Sequence, residues 1–213
     1  PDPLWSRGLG DVYKRQLHAC CHGAHAMIEG LRNLVAAHDI TAQNLAALSI
    51  RVNPRWLKVC DIKAPRTGLE VKFSYVFLAA MVLHHIDTAA YQSYDDSICG
   101  DAGLIATASK ITVIGDEAIS DGAVNVSADT QTGVRHTTDF DLMDPIDLSV
   151  LGPRLVAKAS VLIGPARAEK IWESMDDLDS MPAAQMARCL QPLPVSYTHL
   201  RAHETREDRG LPR

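Results

Sequence analysis

Residues 17–26 read LHACCHGAHA and lead directly into an amphipathic pattern. Apolar residues recur over 25–37 at the spacing of a helix with one buried face, which predicts that a packed helix begins here. Five side chains able to bind a metal or move a proton lie within this stretch: His18, Cys20, Cys21, His22 and His25. The stretch therefore marks the start of the first packed helix. Its side chains could form a metal site, belong to the edge of an active site, or serve only to begin the helix.

In the rest of the chain, the spacing of apolar residues is typical of helices in some segments and of strands in others. Turn residues at Gly115-Asp116 and Asp121-Gly122 separate short strands after a largely helical region. We predict an α+β fold, with a small, mostly antiparallel sheet, flanking helices and a helical C-terminal segment. The predicted helices cover 25–37, 73–83, 96–109, 151–163, 166–175 and 183–190, and the predicted strands cover 48–52, 56–59, 111–114, 123–128 and 134–139.

The two ends of the chain carry a sign of foreign DNA. Codons that encode SRGLGDVYKRQ (6–16) have a reverse complement that, in a shifted frame, encodes VSYTHLRAHE, the sequence of 195–204. The repeat resembles the translated adapter of a transposase-based sequencing library. We therefore expect 1–16 and 195–213 to be adapter-derived, and we exclude them from fold reasoning.

Composition limits the possible partners and the compartment. The net charge is -5; each excluded end contributes +1, which leaves -7 for 17–194. This acidic balance favours neither nucleic acid nor an anionic membrane as a partner. No apolar run approaches the ~20 residues of a membrane span. Five unevenly spaced cysteines argue against a disulfide framework and for a reducing, cytoplasmic location.

Three segments in this order resemble the MmgE/PrpD family. They are HACCHGAHA (18–26), PRTGLEVKFS before an apolar helix (65–74), and Asp144-Pro145 before the last helices. The family includes 2-methylcitrate dehydratase, cis-aconitate decarboxylase and related epimerases or isomerases of small polycarboxylates. PRTGLEVKFS is the most specific of the three segments.

The resemblance implies how the chain is organised. Such proteins have a large helical domain, a smaller α+β lid, an active site in the cleft between them and a homodimeric assembly. We expect 17–143 to be the C-terminal lid-like domain and 144–194 a helical segment of the same unit, with the N-terminal helical domain missing. The family's lysine at the head of the first motif falls on Gln16, inside the adapter segment, and its catalytic histidine falls on Cys21. The family's lid tyrosine has no counterpart that we can assign.

Candidate substrate-binding residues lie in the second motif. Dehydration of a hydroxy polycarboxylate needs a base, an acid and fixed cations. Arg66 and Lys72 flank a Gly-containing loop and suit carboxylate binding, although both can equally be surface charges. Ser74 can donate a hydrogen bond to the substrate or cap the following helix.

Candidate catalytic residues lie in the first motif. Cys21, His22 and His25 are the candidates; the two histidines can titrate near neutral pH, and His25 can instead bond backbone at its helix start. Cysteines near a helix N-terminus gain thiolate character unless they are buried. The ligand types also fit zinc, but adjacent residues rarely reach one tetrahedral centre, so we expect no metal and no cofactor.

We therefore expect part of a cofactor-independent lyase, a dehydratase of a small polycarboxylate such as 2-methylcitrate. The alternatives are a decarboxylase, epimerase or isomerase of the same family, or a non-catalytic module for dimerisation or binding. We expect the isolated chain to be inactive, because much of its cleft is missing.

Overall fold

A computed structural model describes residues 17–191. The expected adapter-derived segments, 1–16 and 195–213, lie outside the described residues. The chain divides into two compact units between Ala168 and Glu169. The expected boundary at 143/144 stays a prediction.

The first unit is built on one mixed sheet. Its strands are Leu45–Val52 (β1), Ile111–Gly115 (β2), Ala123–Thr130 (β3) and Arg135–Asp141 (β4), in the spatial order β2-β1-β3-β4. β1 runs parallel to β2 and antiparallel to β3, and β3 runs antiparallel to β4. Because two of the three pairings are antiparallel, the predicted α+β class with a mostly antiparallel sheet is confirmed.

The described residues contain eight α-helices and four 3-10 turns. The helices are His25–His38 (α1), Leu57–Cys60 (α2), Gly68–Val71 (α3), Tyr75–Leu83 (α4), Ala102–Ala108 (α5), Leu148–Ile163 (α6), Pro165–Glu173 (α7) and Ala183–Leu190 (α8). The turns are His22–Ala24, Pro54–Trp56, Tyr91–Tyr94 and Asp96–Gly100. None of the helices within 17–191 has the length and apolar character needed to cross a membrane.

The core lies between the sheet and helices α1 and α4. Helix α1 packs on β3 and β4, and α4 packs against α1, α5 and β2. All nine residues of α4 are buried, as expected for a helix that is apolar all round. At Gly30 of α1 a Cβ would lie 3.1 Å from the side chain of Val124, so the missing side chain lets the helix approach the sheet closely.

The other face of the sheet is polar. Along β3, buried Val124, Val126 and Ala128 alternate with less buried polar residues, the period-2 pattern of a sheet covered on one side. Cross-strand polar contacts line the open face, among them the ion pair between Asp129 and Arg135. This alternation is why the short strands could be predicted from the sequence.

Two predicted elements need correction. The expected strand at 56–59 is wrong, because Asn53 accepts a hydrogen bond from the Arg55 N–H and Pro54 then starts a helical turn. The expected helix over 96–109 is two elements, since Asp101 adopts an extended backbone and caps α5 by accepting from the Leu104 N–H.

The second compact unit is helical in the described residues. It contains the end of α7 and all of α8, whose bounds match the predicted helix at 183–190. Trp172 and Leu190 keep part of their apolar surface exposed in this unit.

Candidate functional site

The LHACCHGAHA stretch lies against the PRTGLEVKFS block. The Cys21 N–H donates to the Lys72 carbonyl at 3.0 Å. The Tyr75 hydroxyl, one residue after the block, donates to the Gly23 carbonyl at 2.8 Å. These bonds join two segments about fifty residues apart, so the two motifs form one site in space.

A buried polar network begins at His18. Its Nε2 lies 2.8 Å from Glu29 Oε1, and its Nδ1 lies 2.7 Å from the Thr88 hydroxyl. Arg154 of α6 donates to both Glu29 oxygens at 2.6 Å in a bidentate pair. The network thus links the first motif, α1, the segment after α4, and α6.

The protonation states in this network follow from burial and pairing. Burial opposes ionisation of Glu29, but hydrogen bonds from His18 and Arg154 outweigh it and lower the pKa of the carboxyl to about 2. Burial lowers the pKa of His18, and the hydrogen bond and charge of Glu29 offset only part of this decrease. A neutral His18 that donates from Nε2 to Glu29 and accepts at Nδ1 from Thr88 satisfies all three groups.

His25 and His22 lie next to this network. The His25 ring is buried, with its Nε2 3.3 Å from the Cys20 carbonyl oxygen. Burial, followed by the neighbouring His18, lowers the pKa of His25 to about 3. The ring is therefore neutral at pH 7 and does not titrate near neutrality in this chain. His22 lies on the 3-10 turn, with its ring centroid 5.3 Å from that of His25.

Cys20 and Cys60 are packed rather than activated. Burial raises the pKa of Cys20 to about 12, although a hydrogen bond with Tyr94 and the charge of Lys72 oppose the shift. Cys20 is therefore the buried case, in which desolvation exceeds any gain from the nearby helix N-terminus. Burial and the adjacent Cys21 thiol raise the pKa of Cys60.

The PRTGLEVKFS block forms a capped turn. Thr67 accepts from the Glu70 N–H at 3.2 Å and so begins α3. Glu70 accepts from the Arg66 backbone N–H at 2.7 Å and from its guanidinium at 3.1 Å. At Gly68 a Cβ would lie 1.7 Å from the Tyr94 carbonyl oxygen, so no other residue fits this position. These contacts fix the conformation of the block from Arg66 to Glu70.

The three predicted substrate-binding residues have different surroundings. The Arg66 side chain is 85% exposed and is held by Glu70. The Lys72 ammonium lies 5.0 Å from the centroid of the Tyr94 ring, beside Cys20. Ser74 is fully buried and caps α4, with its Oγ accepting from the Phe77 N–H at 3.3 Å. Of these three residues, Lys72 is therefore the one whose charge acts on the first motif.

Sequence reasoning missed the role of Glu29 and Arg154. Glu29 bonds to His18, which lies before the helix and 11 residues away, so helical spacing gives no signal for this contact. Arg154 is 125 residues from Glu29 and carries no local signal. Among residues 17–191, no three His, Cys, Asp or Glu side chains are grouped so as to hold a metal ion.

These features define an α+β domain in which the first motif contacts the second motif and, through His18, a buried polar network. A family model described as the MmgE/PrpD C-terminal domain matches residues 18–143, more than half of the chain. The chain belongs to the MmgE/PrpD family, which is known for enzymes of the dehydratase and lyase type. Comparison with curated proteins gives no match.

Proposed function

We propose that this chain is the lid part of a cofactor-independent lyase that removes water from a small polycarboxylate such as 2-methylcitrate. The observation that carries the proposal is the juxtaposition of Lys72 with the first motif, through the bond between the Cys21 N–H and the Lys72 carbonyl. The Lys72 ammonium, 5.0 Å from the centroid of the Tyr94 ring, would supply a positive charge near the residues that the family places at its cleft.

The reaction assigns distinct tasks to the residues. A base removes the proton next to a carboxylate, the carbon–oxygen bond breaks, and an acid protonates the leaving hydroxyl to give water. Lys72 would hold a carboxylate and stabilise the negative charge that develops on proton removal. Cys21, His22 and His25 would lie beside the bound substrate, and the helical domain typical of the family would supply the base.

Protonation states support the expectation that the isolated chain is inactive. With His25 neutral at a pKa of about 3 and the pKa of Cys20 raised to about 12, neither group is matched to proton transfer at neutral pH. Closure against the helical domain would change their surroundings. The same observation favours the second candidate, a non-catalytic module for dimerisation or binding.

The experiment starts from the full gene. A reading frame that continues upstream of Leu17 into a long helical domain supports the lyase, whereas a start codon near Leu17 supports the module. Genomic DNA that lacks the coding sequence for 1–16 and 195–213 would support their origin in an adapter.

The full-length protein then permits a direct assay. Water elimination creates a carbon–carbon double bond conjugated to a carboxylate, which is followed by ultraviolet absorbance. Lys72→Met should lower kcat/KM at least about tenfold, the effect of losing one charge-assisted contact. Lys63→Met is the control, because Lys63 pairs with Asp61 with its side chain 56% exposed. Equal activity of the two variants would contradict the role of Lys72.

A further inference from the structure

Two cysteines from different elements meet beside the second motif. Cys21 directly precedes the turn His22–Ala24, and Cys60 is the last residue of α2. A side-chain hydrogen bond joins their two thiols, although the cysteines are far apart in the sequence. Cys60 is fully buried and Cys21 is half-buried, so solvent reaches the pair from the side of Cys21.

The backbone anchors both cysteines to the second motif. The Cys21 N–H donates to the Lys72 carbonyl at 3.0 Å. Asp61, directly after Cys60, forms an antiparallel backbone bridge with Ser74. Helix α2 also packs on the turn that follows Cys21. The contact between the two thiols therefore follows from the packing of two anchored segments, and not from the rotamer of one side chain.

The neighbouring cysteine, Cys20, has other partners. Its thiol donates to the Cys21 carbonyl, with 3.8 Å between sulfur and oxygen, and it also forms a hydrogen bond with the Tyr94 side chain. A disulfide between adjacent residues is unfavourable, because consecutive Cα atoms lie about 3.8 Å apart and disulfides usually span roughly 4.4–6.8 Å. Cys60 is therefore a better partner for Cys21 than Cys20 is.

We propose that Cys21 and Cys60 are a redox-active pair, which hydrogen peroxide oxidises to a disulfide. The Cys21 sulfur first attacks one peroxide oxygen, the O–O bond breaks, and the thiol proton leaves with the other oxygen as water. The Cys60 sulfur then attacks the resulting sulfenic acid. An S–S bond replaces the S–O bond, and the hydroxyl leaves with the Cys60 proton as a second water. Each sulfur loses one electron, and the peroxide gains two.

Exposure determines the order of the two steps. A dissolved peroxide reaches the half-buried Cys21 first. Burial, followed by the Cys21 thiol, raises the pKa of Cys60, which keeps Cys60 a thiol until a sulfenic acid forms in contact with it. The disulfide would tie α2 to the first motif, and a thiol reductant would reverse it. A transient bond of this kind is compatible with a reducing compartment, and it does not depend on the proposed lyase activity.

The experiment is mild oxidation of the folded 213-residue chain with hydrogen peroxide. Catalase stops the reaction, and the chain is then unfolded in urea with iodoacetamide present and digested with trypsin without reductant. We expect the tryptic peptide 16–32 to be linked to the peptide 59–63, and the number of thiols to fall from five to three per chain. Dithiothreitol should restore all five.

Cysteine variants identify the pair. Cys21→Ser should lose the linked peptide, whereas Cys20→Ser, the matched control at the adjacent position, should keep it. If Cys21→Ser does not fold, fragmentation of the linked peptide from the parent chain still distinguishes Cys20 from Cys21. A link within 16–32, a link to Cys99 or Cys189 instead, sulfinic acid without a link, or no loss of thiols would overturn the proposal.

Discussion

Glu29 and Arg154 form a bidentate ion pair with both nitrogen–oxygen distances at 2.6 Å. The carboxylate is almost fully buried on α1, and it also accepts from His18. This pair attaches α6 to the domain that carries the first motif.

Removing Arg154 should destabilise the first unit strongly. Arg154→Met leaves the ionised Glu29 buried without its main partner, and such a loss costs about 3 kcal/mol in the free energy of unfolding. Urea unfolding measures it. Arg135→Met is the matched control, because Arg135 pairs with Asp129 with its side chain 67% exposed and its loss should cost under about 1 kcal/mol.

A double variant separates the ion pair from general packing. Glu29→Gln combined with Arg154→Met removes the buried charge, so it should be more stable than Arg154→Met alone. If the single and double variants lost the same free energy of unfolding, Glu29 would not be ionised.

The free energy of unfolding should decrease as the pH is lowered below 7, because of His25. Burial holds its pKa at about 3 in the folded chain, against 6.5 in the unfolded chain, so the unfolded state binds more protons between these values. The contribution of His25 is fully present above pH 6.5 and is lost as the pH falls towards 3. His18, whose pKa is also lowered, acts in the same direction.

Urea unfolding at pH 7.5, 6 and 5 checks this dependence. Each such histidine contributes a slope of up to about 1.4 kcal/mol per pH unit. The pKa of Glu29 is lowered from 4.5 to about 2, so its contribution to stability is lost only below pH 4.5. Between pH 7.5 and pH 5 the pH dependence therefore reports on the histidines. His25→Gln should flatten the dependence, and an unchanged slope in this variant would argue against a buried neutral ring.

Gly68→Ala should disrupt the turn that carries the second motif. The new Cβ would meet the backbone oxygen of Tyr94 at 1.7 Å, so either α3 or the Tyr91–Tyr94 turn must move. We expect a loss of at least about 2 kcal/mol by urea unfolding. Gly100→Ala is the control, since nothing lies within 4 Å of its new Cβ, and a similar loss there would refute the argument.

Cys20 should react slowly with iodoacetamide at pH 8. Burial raises its pKa from 9.0 to about 12, which makes its thiolate fraction roughly a thousandfold smaller than that of an unperturbed cysteine. Peptide mass spectrometry follows the labelling, and the same chain unfolded in urea serves as the reference. Rapid labelling of Cys20 in the folded chain would show that the thiol is activated after all.

Local periodicity explains how much of the fold could be predicted. Alternation along β3 and the apolar run of α4 are properties of neighbouring residues, and they determine the element type directly. The strand expected at 56–59 does not form, because Asn53-Pro54 caps and starts a helical turn instead of only separating two strands. Side-chain capping decides between a strand and a helical turn at this position, and the hydropathy pattern does not contain that information.

The candidate site was predictable only in part. The two motifs were identified from residue types, and their contact through Cys21 and Lys72 follows from tertiary packing. The partner of Glu29 is 125 residues away in α6, so no sequence window contains both. The protonation states of Cys20 and His25 depend on burial, which the motif itself does not specify.

The most direct test is an assay of water elimination from 2-methylcitrate by the full-length protein, beside the isolated 213-residue chain. The account predicts that the full-length protein forms the unsaturated product and that the isolated chain forms none. Turnover by the isolated chain, or a folded full-length protein that eliminates no water from any small hydroxy polycarboxylate offered, would contradict it.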